Sequence, residues 1–258
     1  MGYAIDIHRF APKCRDLGRL GQLNNSHSVA FDKCNYRCRY CELRNRPRTD
    51  FITYSPERFR EVAEELFRLG KGFKFTGGEP TLNPTLLQDL AIVKDLGGLV
   101  YLDTNGSRPS IIRDALDRGL VDVLGLSLKG LDEKTCMETA QVARPAPVWD
   151  HVLESLDIAC AHPGTTTIVT LVVDRDSASK DTLLSLAALL DGYPGVLMKI
   201  NNIMENPESL RFGLHPADPA LLVRLVSDFV DKNPRWKGRC ILITSDKAVG
   251  SYDDILFY

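Results

Sequence analysis

No apolar run of membrane-spanning length occurs in this 258-residue chain. Charge of one sign is missing too: 32 Lys and Arg against 34 Asp and Glu leave a formal net charge of −2, with both signs mixed along the sequence. That balance predicts no membrane surface and no clear nucleic-acid patch. The mildly basic segment APKCRDLGRLG, residues 11–21, reads as a solvated stretch. The N-terminal MGYAIDIHRF lacks a charged segment followed by an apolar one, and Asp6 breaks the myristoylation pattern. A cytoplasmic address is the expectation. Cysteine is sparse and odd in number, at seven. Without a secretory leader, that predicts reduced thiols and metal ligation rather than a disulfide framework.

What the chain does contain is an ordinary share of hydrophobic residues, 44%, enough for a sizeable core. From residue 26 onward, short β-branched runs alternate with longer helical patterns. Strands are predicted at SHSVAFDK, GFKFT, GLVYLD, VDVLGLSL, TTTIVTLVV and VLMKINN, with RCILITS as a last strand. Helices are predicted between them. In SPERFREVAEELFRLG, Ser55 caps, Pro56 takes the first helical position, Phe59, Val62 and Leu66 recur at helical spacing, and Gly70 ends the helix. In NPTLLQDLAIVKDLG, Asn83 is the expected cap. Such alternation predicts βα units and a parallel sheet with right-handed crossovers. Six repeats fit a partial (β/α)6 TIM-type barrel in a single domain. A doubly wound open sheet is the alternative. The expected organisation is an N-terminal extension over 1–25, the barrel over 26–245 and a C-terminal tail over 246–258.

In either architecture, reactive residues belong at the C-terminal ends of the strands. The unusual residues of this chain fall there. Cys34, Cys38 and Cys41, spaced C-x3-C-x2-C, follow the first strand; Thr76 to Pro80 (TGGEP) end the second. Asp103 to Ser107 (DTNGS) end the third, Ser127 to Gly130 (SLKG) the fourth, and Ile200 to Asn202 the sixth. Structural zinc needs four ligands, usually as paired knuckles or with histidine, and there is no second knuckle here and no His at finger spacing. A [4Fe–4S] cluster normally takes four thiolates; with three, one iron stays open to a small-molecule ligand. Cys14, Cys136, Cys160 and Cys240 are isolated and read as small buried residues or ordinary thiols.

Cys34, Cys38, Tyr40 and Cys41 resemble in full the C-x3-C-x-aromatic-C cluster motif of the radical S-adenosylmethionine (SAM) enzymes. Gly77 to Pro80 match that family's GGEP motif at the end of the second strand. The resemblance runs from about residue 28 to 203. It implies a [4Fe–4S] cluster on the three cysteines, with SAM on the open iron. It also implies that the turn at Gly77, Gly78 and Glu79 binds the SAM amino group. The reduced cluster would then cleave SAM to a 5′-deoxyadenosyl radical that takes hydrogen from a substrate. An electron donor such as flavodoxin or ferredoxin is the implied partner.

LDTNGS is similar to the corresponding strand end of glycyl-radical-enzyme activases, such as the activator of pyruvate formate-lyase. There the Asp-Thr pair, matched by Asp103 and Thr104, holds a monovalent cation against the SAM carboxylate. The next strand departs from that pattern, with Ser127-Leu128-Lys129 where the activases read Asp-Leu-Lys. The resemblance further nominates Lys129 for a charge near SAM, Asn105 and Ser127 for its ribose or carboxylate, and Asn201 for its adenosyl portion. The substrate is expected to be a protein glycyl site, as in an activase. A small molecule, nucleotide or peptide is the alternative, supported by Arg211 and His215 in the loop after the sixth strand. An alternative of another class is a non-enzymatic zinc or iron–sulfur barrel.

Overall fold

The structure, a computed structural model, describes residues 3–7, 26–45, 51–142, 146–244 and 255–258. They fall into two compact units. The first draws on described residues within Met1–Asn35, Arg46–Leu126 and Asp150–Thr167; the second on those within Tyr36–Asn45, Ser127–Trp149 and Ile168–Tyr258.

In the first unit, strands β1 (Tyr3–Ile7), β2 (His27–Phe31), β3 (Gly72–Gly77), β4 (Leu99–Thr104) and β5 (Val123–Leu128, whose last two residues belong to the second unit) lie side by side in chain order. β2 to β5 pair in parallel, with registers such as Val29↔Phe75, Phe75↔Leu102 and Thr104↔Leu126. Helices α1 (Pro56–Phe67), α2 (Leu86–Asp95) and α3 (Pro109–Asp117) make the crossovers, and α5 (Val148–Cys160) contributes from Asp150 onward. All five residues of β2 are buried, as expected for a parallel strand covered on both faces. An aromatic layer of Phe31, Phe59 and Phe75 ties α1 to β2 and β3, with centroids 6.1–6.5 Å apart. Ser55 Oγ accepts from the Arg58 N–H at the start of α1, as its sequence predicts.

The second unit carries β6 (Thr166–Val173, whose first two residues belong to the first unit), β7 (Leu197–Asn202) and β8 (Cys240–Ile243) in parallel, followed by an antiparallel β9 (Ile255–Phe257). Its helices are α4 (Glu133–Ala140), α6 (Lys180–Leu190), α7 (Pro207–Arg211) and α8 (Pro219–Lys232). β2 to β8 are the seven strands read from the sequence.

Four local features differ from the expectation. Tyr3–Ile7, placed in an extension, pair as a strand on β2, and Ile255–Phe257, placed in a tail, pair on β8. Helix α4 escaped notice because only Cys136 and Ala140 of its eight residues are buried, too few for a readable stripe. Asn83 does not cap α2, which begins at Leu86 after Thr85. It ends a 3₁₀ turn over Pro80–Leu82, and its Oδ1 accepts from the Thr85 N–H at 3.4 Å.

Candidate active site

The GGEP segment is first of all a packing device. The Gly78 N–H donates to the Phe31 carbonyl and the Glu79 N–H to that of Lys33, both at 2.7 Å. This clamps the turn to the chain entering the cysteine loop. A Cβ on Gly78 would stand 2.1 Å from the Lys33 carbonyl oxygen, and one on Gly77, at φ +99°, 2.4 Å from the Phe31 nitrogen. Glycine is required at both positions by this backbone-to-backbone approach.

Glu79 is fully buried. One carboxylate oxygen accepts from the Thr81 N–H (3.1 Å), the Thr81 hydroxyl (2.5 Å) and the Thr104 hydroxyl (2.6 Å); the other accepts from the Asn105 N–H (2.7 Å). Burial pushes its carboxyl pKa up, and those donors oppose the rise. Glu79 thus joins the ends of β3 and β4. Pro80 opens the 3₁₀ turn for which Glu79 is the cap.

Asn105 continues the network. Its Nδ2 donates to Asn35 Oδ1 at 3.1 Å and to Cys34 Sγ at 3.8 Å, and its Oδ1 accepts from the Ser107 N–H at 2.9 Å. Asn35 Nδ2 in turn donates to Ser107 Oγ at 2.9 Å. The amide expected to reach SAM is engaged with the protein.

Asp103 and Thr104 were expected to share a cation. The Thr104 hydroxyl goes to Glu79 and accepts from the Gly106 N–H. Asp103 Oδ2 is 2.9 Å from Lys74 Nζ and 3.4 Å from Thr76 Oγ1. Lys74 also lies 5.0 Å from the Tyr101 ring centroid. Asp103, nominated for a monovalent cation, thus meets a lysine ammonium, and Thr104 meets Glu79.

The second unit holds Cys38, Tyr40 and Cys41. The N–H groups of Arg37 and Arg39 donate to the carbonyls of Ala140 and Thr139 at the end of α4, and the Cys41 N–H to the Cys38 carbonyl. The cysteine loop therefore satisfies the open C-terminal carbonyls of α4. Cys38 and Cys41 pack with Tyr36, Cys136, Ala140 and Val148 in one apolar cluster. Burial pushes the Cys41 thiol pKa up, and the neighbouring Cys38 sulfur adds to it. Burial takes Cys136 to about 11 and Tyr40 to about 12, the nearby Lys129 opposing the latter shift.

Lys129 Nζ sits 5.8 Å from the Tyr40 ring centroid. Both line a cavity of about 500 Å³ with Arg39, Asp132, Asp174 and Thr182. Ser127 is half-buried at the end of β5. The two neighbouring asparagines of β7 divide as strand alternation requires. Asn202 is buried and bonds Ala217 and the Thr244 carbonyl, whereas Asn201 Oδ1 is buried without a partner.

The loop after β7, expected to face substrate, grips the cysteine loop. Asn206 Nδ2 donates to the Tyr40 carbonyl at 3.1 Å, Glu208 pairs with Arg44 at 2.5 Å, and Phe212 stacks under Arg39. Sequence reasoning missed Asn206 and Glu208. The signal available was the N-P-E-S capping pattern that builds α7. Arg211 lies 5.7 Å over Phe212, and the His215 carbonyl accepts from the Arg175 N–H. Of the remaining cysteines, Cys240 is buried against Met198, Cys160 is half-buried, and Cys14 lies outside the described residues.

Among the described residues, no three His, Cys, Asp or Glu side chains converge as a ligand set for a metal ion. The donor chemistry nevertheless fits an iron–sulfur group. The motif offers sulfur alone, and burial favours the protonated form of the Cys41 thiol, a cost that a cationic metal centre offsets.

Parallel βα repeats with a three-thiol loop after one strand and a glycine turn after the next define an α/β protein of the partial TIM-type barrel class. The chain belongs to the Radical SAM superfamily, whose family model matches residues 28–186. The structure of Streptococcus suis SuiB bound to S-adenosylmethionine superposes with a TM-score of 0.65 at 18% identity, over 86% of this chain and 52% of that one. An S-adenosylmethionine-dependent nucleotide dehydratase of Thermoplasmatales archaeon (strain ISO4-H5) is 31% identical over 162 residues, 58% of this chain and 53% of that protein. A putative glycyl-radical enzyme activating enzyme of Methanocaldococcus jannaschii is 30% identical over 105 residues, 39% of this chain and 38% of that protein. The chain thus spans about half or less of these relatives. Among the described residues, no helix is long and apolar enough to cross a membrane.

Proposed function

We propose that this protein is a radical SAM enzyme that takes a hydrogen atom from its substrate. What carries the reading is the joining of Gly78 and Glu79 to the Phe31–Lys33 backbone at 2.7 Å, which fastens the glycine turn to the start of the cysteine loop within a chain of this superfamily. Cys34, Cys38 and Cys41 hold a [4Fe–4S] cluster. When bound and reduced, that cluster supplies reductive cleavage of SAM, with the electron coming from a low-potential donor such as flavodoxin or ferredoxin. The Gly77–Glu79 turn presents backbone groups to the SAM amino group. The free acceptor of Asn201 and the ammonium of Lys129 serve the remainder of SAM.

The substrate is a protein glycyl site, a reading supported by the LDTNG strand end and the activase relative. A small-molecule substrate is the second reading, favoured by the longer match to a nucleotide dehydratase. Anaerobic reconstitution with iron and sulfide, followed by reduction with SAM, tests the chemistry. 5′-Deoxyadenosine forms and is lost in Cys38→Ala; tight zinc binding with no cleavage instead identifies a non-enzymatic metal barrel.

A further inference from the structure

Asn105 holds an amide whose orientation the surrounding bonds determine. Its Oδ1 accepts from the backbone N–H of Ser107, a group that can only donate. The NH₂ must therefore face the other way. Asn35 Oδ1 at 3.1 Å and Cys34 Sγ at 3.8 Å compete for that NH₂. Asn35 is itself held by Ser107 Oγ, and the Asn105 backbone by the buried Glu79 carboxylate. Asn105 is only 6% exposed, while Cys34 is exposed. Such a rigid, buried amide aimed at a sulfur is more than a strand-end turn requires. The Ser107 bond alone would close that turn.

We infer that Asn105 is a positioning residue that sets the reduction potential of the cluster through an N–H···S bond to Cys34. A donor on a ligating sulfur withdraws electron density and favours the reduced, more negative state. The electron itself comes from the external low-potential donor. The Glu79–Asn105–Cys34 chain links the glycine turn to that sulfur, so that Glu79 acts on the cluster through Asn105.

This inference rests on the cluster reading, and the experiment separates the two. Wild-type protein and the Asn105→Ala and Asn35→Ala variants are reconstituted anaerobically. Each is titrated without SAM against redox dyes, and the reduced cluster is followed by electron paramagnetic resonance. In Asn105→Ala, the reduced-to-oxidised ratio at the wild-type midpoint falls about tenfold, equivalent to ~59 mV for one electron. In Asn35→Ala the competing acceptor is gone, the amide is left to the sulfur, and the midpoint moves to more positive values. An unchanged midpoint in Asn105→Ala, or a negative shift of the same size in Asn35→Ala, overturns the inference while leaving the cluster reading intact. Should Asn105→Ala fail to fold or load, the Asn35→Ala shift decides alone: positive supports the inference, and zero or negative overturns it. Absence of any cluster signal in wild-type protein overturns both.

Discussion

Lys74 Nζ and Asp103 Oδ2 meet at 2.9 Å on neighbouring strands, both side chains largely shielded from solvent. The pair places a fixed cation of the protein's own at the carboxylate that the activase resemblance nominates for a monovalent ion. Wild-type SAM affinity is accordingly expected not to change when potassium is exchanged for tetramethylammonium at constant ionic strength. Lys74→Met removes the built-in charge and makes affinity depend on the added cation. Isothermal titration in the two salts checks it, and a potassium requirement in the wild type contradicts it.

Glu79 is bound by four donors in a fully buried setting. Glu79→Ala strands those donors, at a cost of about 1–3 kcal/mol or more. The apparent melting temperature should fall, and SAM binding should weaken, while iron and sulfide content per chain persists. Loss of the cluster in this variant would count against the role given to Glu79.

At Gly78 the incoming methyl meets backbone rather than a movable side chain. Gly78→Ala is therefore expected to destabilise by roughly 3 kcal/mol or more, at the severe end for single substitutions. Gly164 has open space around it, so Gly164→Ala should be close to neutral. Urea titrations of the two variants side by side provide the comparison.

Asp89 is buried in α2, accepting from Thr85 Oγ1 at 2.8 Å and Asn83 Nδ2 at 3.3 Å. Burial outweighs these donors and pushes its carboxyl up to about 6, from 3.8. The folded state holds the proton more tightly than the unfolded chain. Stability from this group is thus greatest below pH 4 and is lost as pH rises from about 4 to 6. Asp89→Asn should gain about 1–3 kcal/mol over wild type at pH 7 and lose that advantage near pH 4. Denaturant midpoints at the two pH values check the sign.

Much of this was legible along the chain. Strands β2 to β8 announce themselves as apolar β-branched runs, because parallel strands are buried on both faces. Ser55 and Pro56 mark the start of α1 through local capping chemistry. The cysteine spacing and the GGEP turn are likewise local, and their placement after successive strands follows from the βα repeat. Less could be read where a partner lies far away. The tight approach of Gly77 to Phe31 and of Gly78 to Lys33 is one such case.

The alternation of apolar runs and the spacing of three thiols are short-range properties, so composition and order along the chain were enough to determine the architecture and the class of chemistry. Which acceptor each polar side chain finds depends on strand register and loop docking, which bring together residues dozens to more than a hundred positions apart. Only folding decided that Lys74 would neutralise Asp103, that Glu79 would bind the end of β4, that Asn105 would turn its amide to Cys34, and that Asn206 would hold the carbonyl of Tyr40.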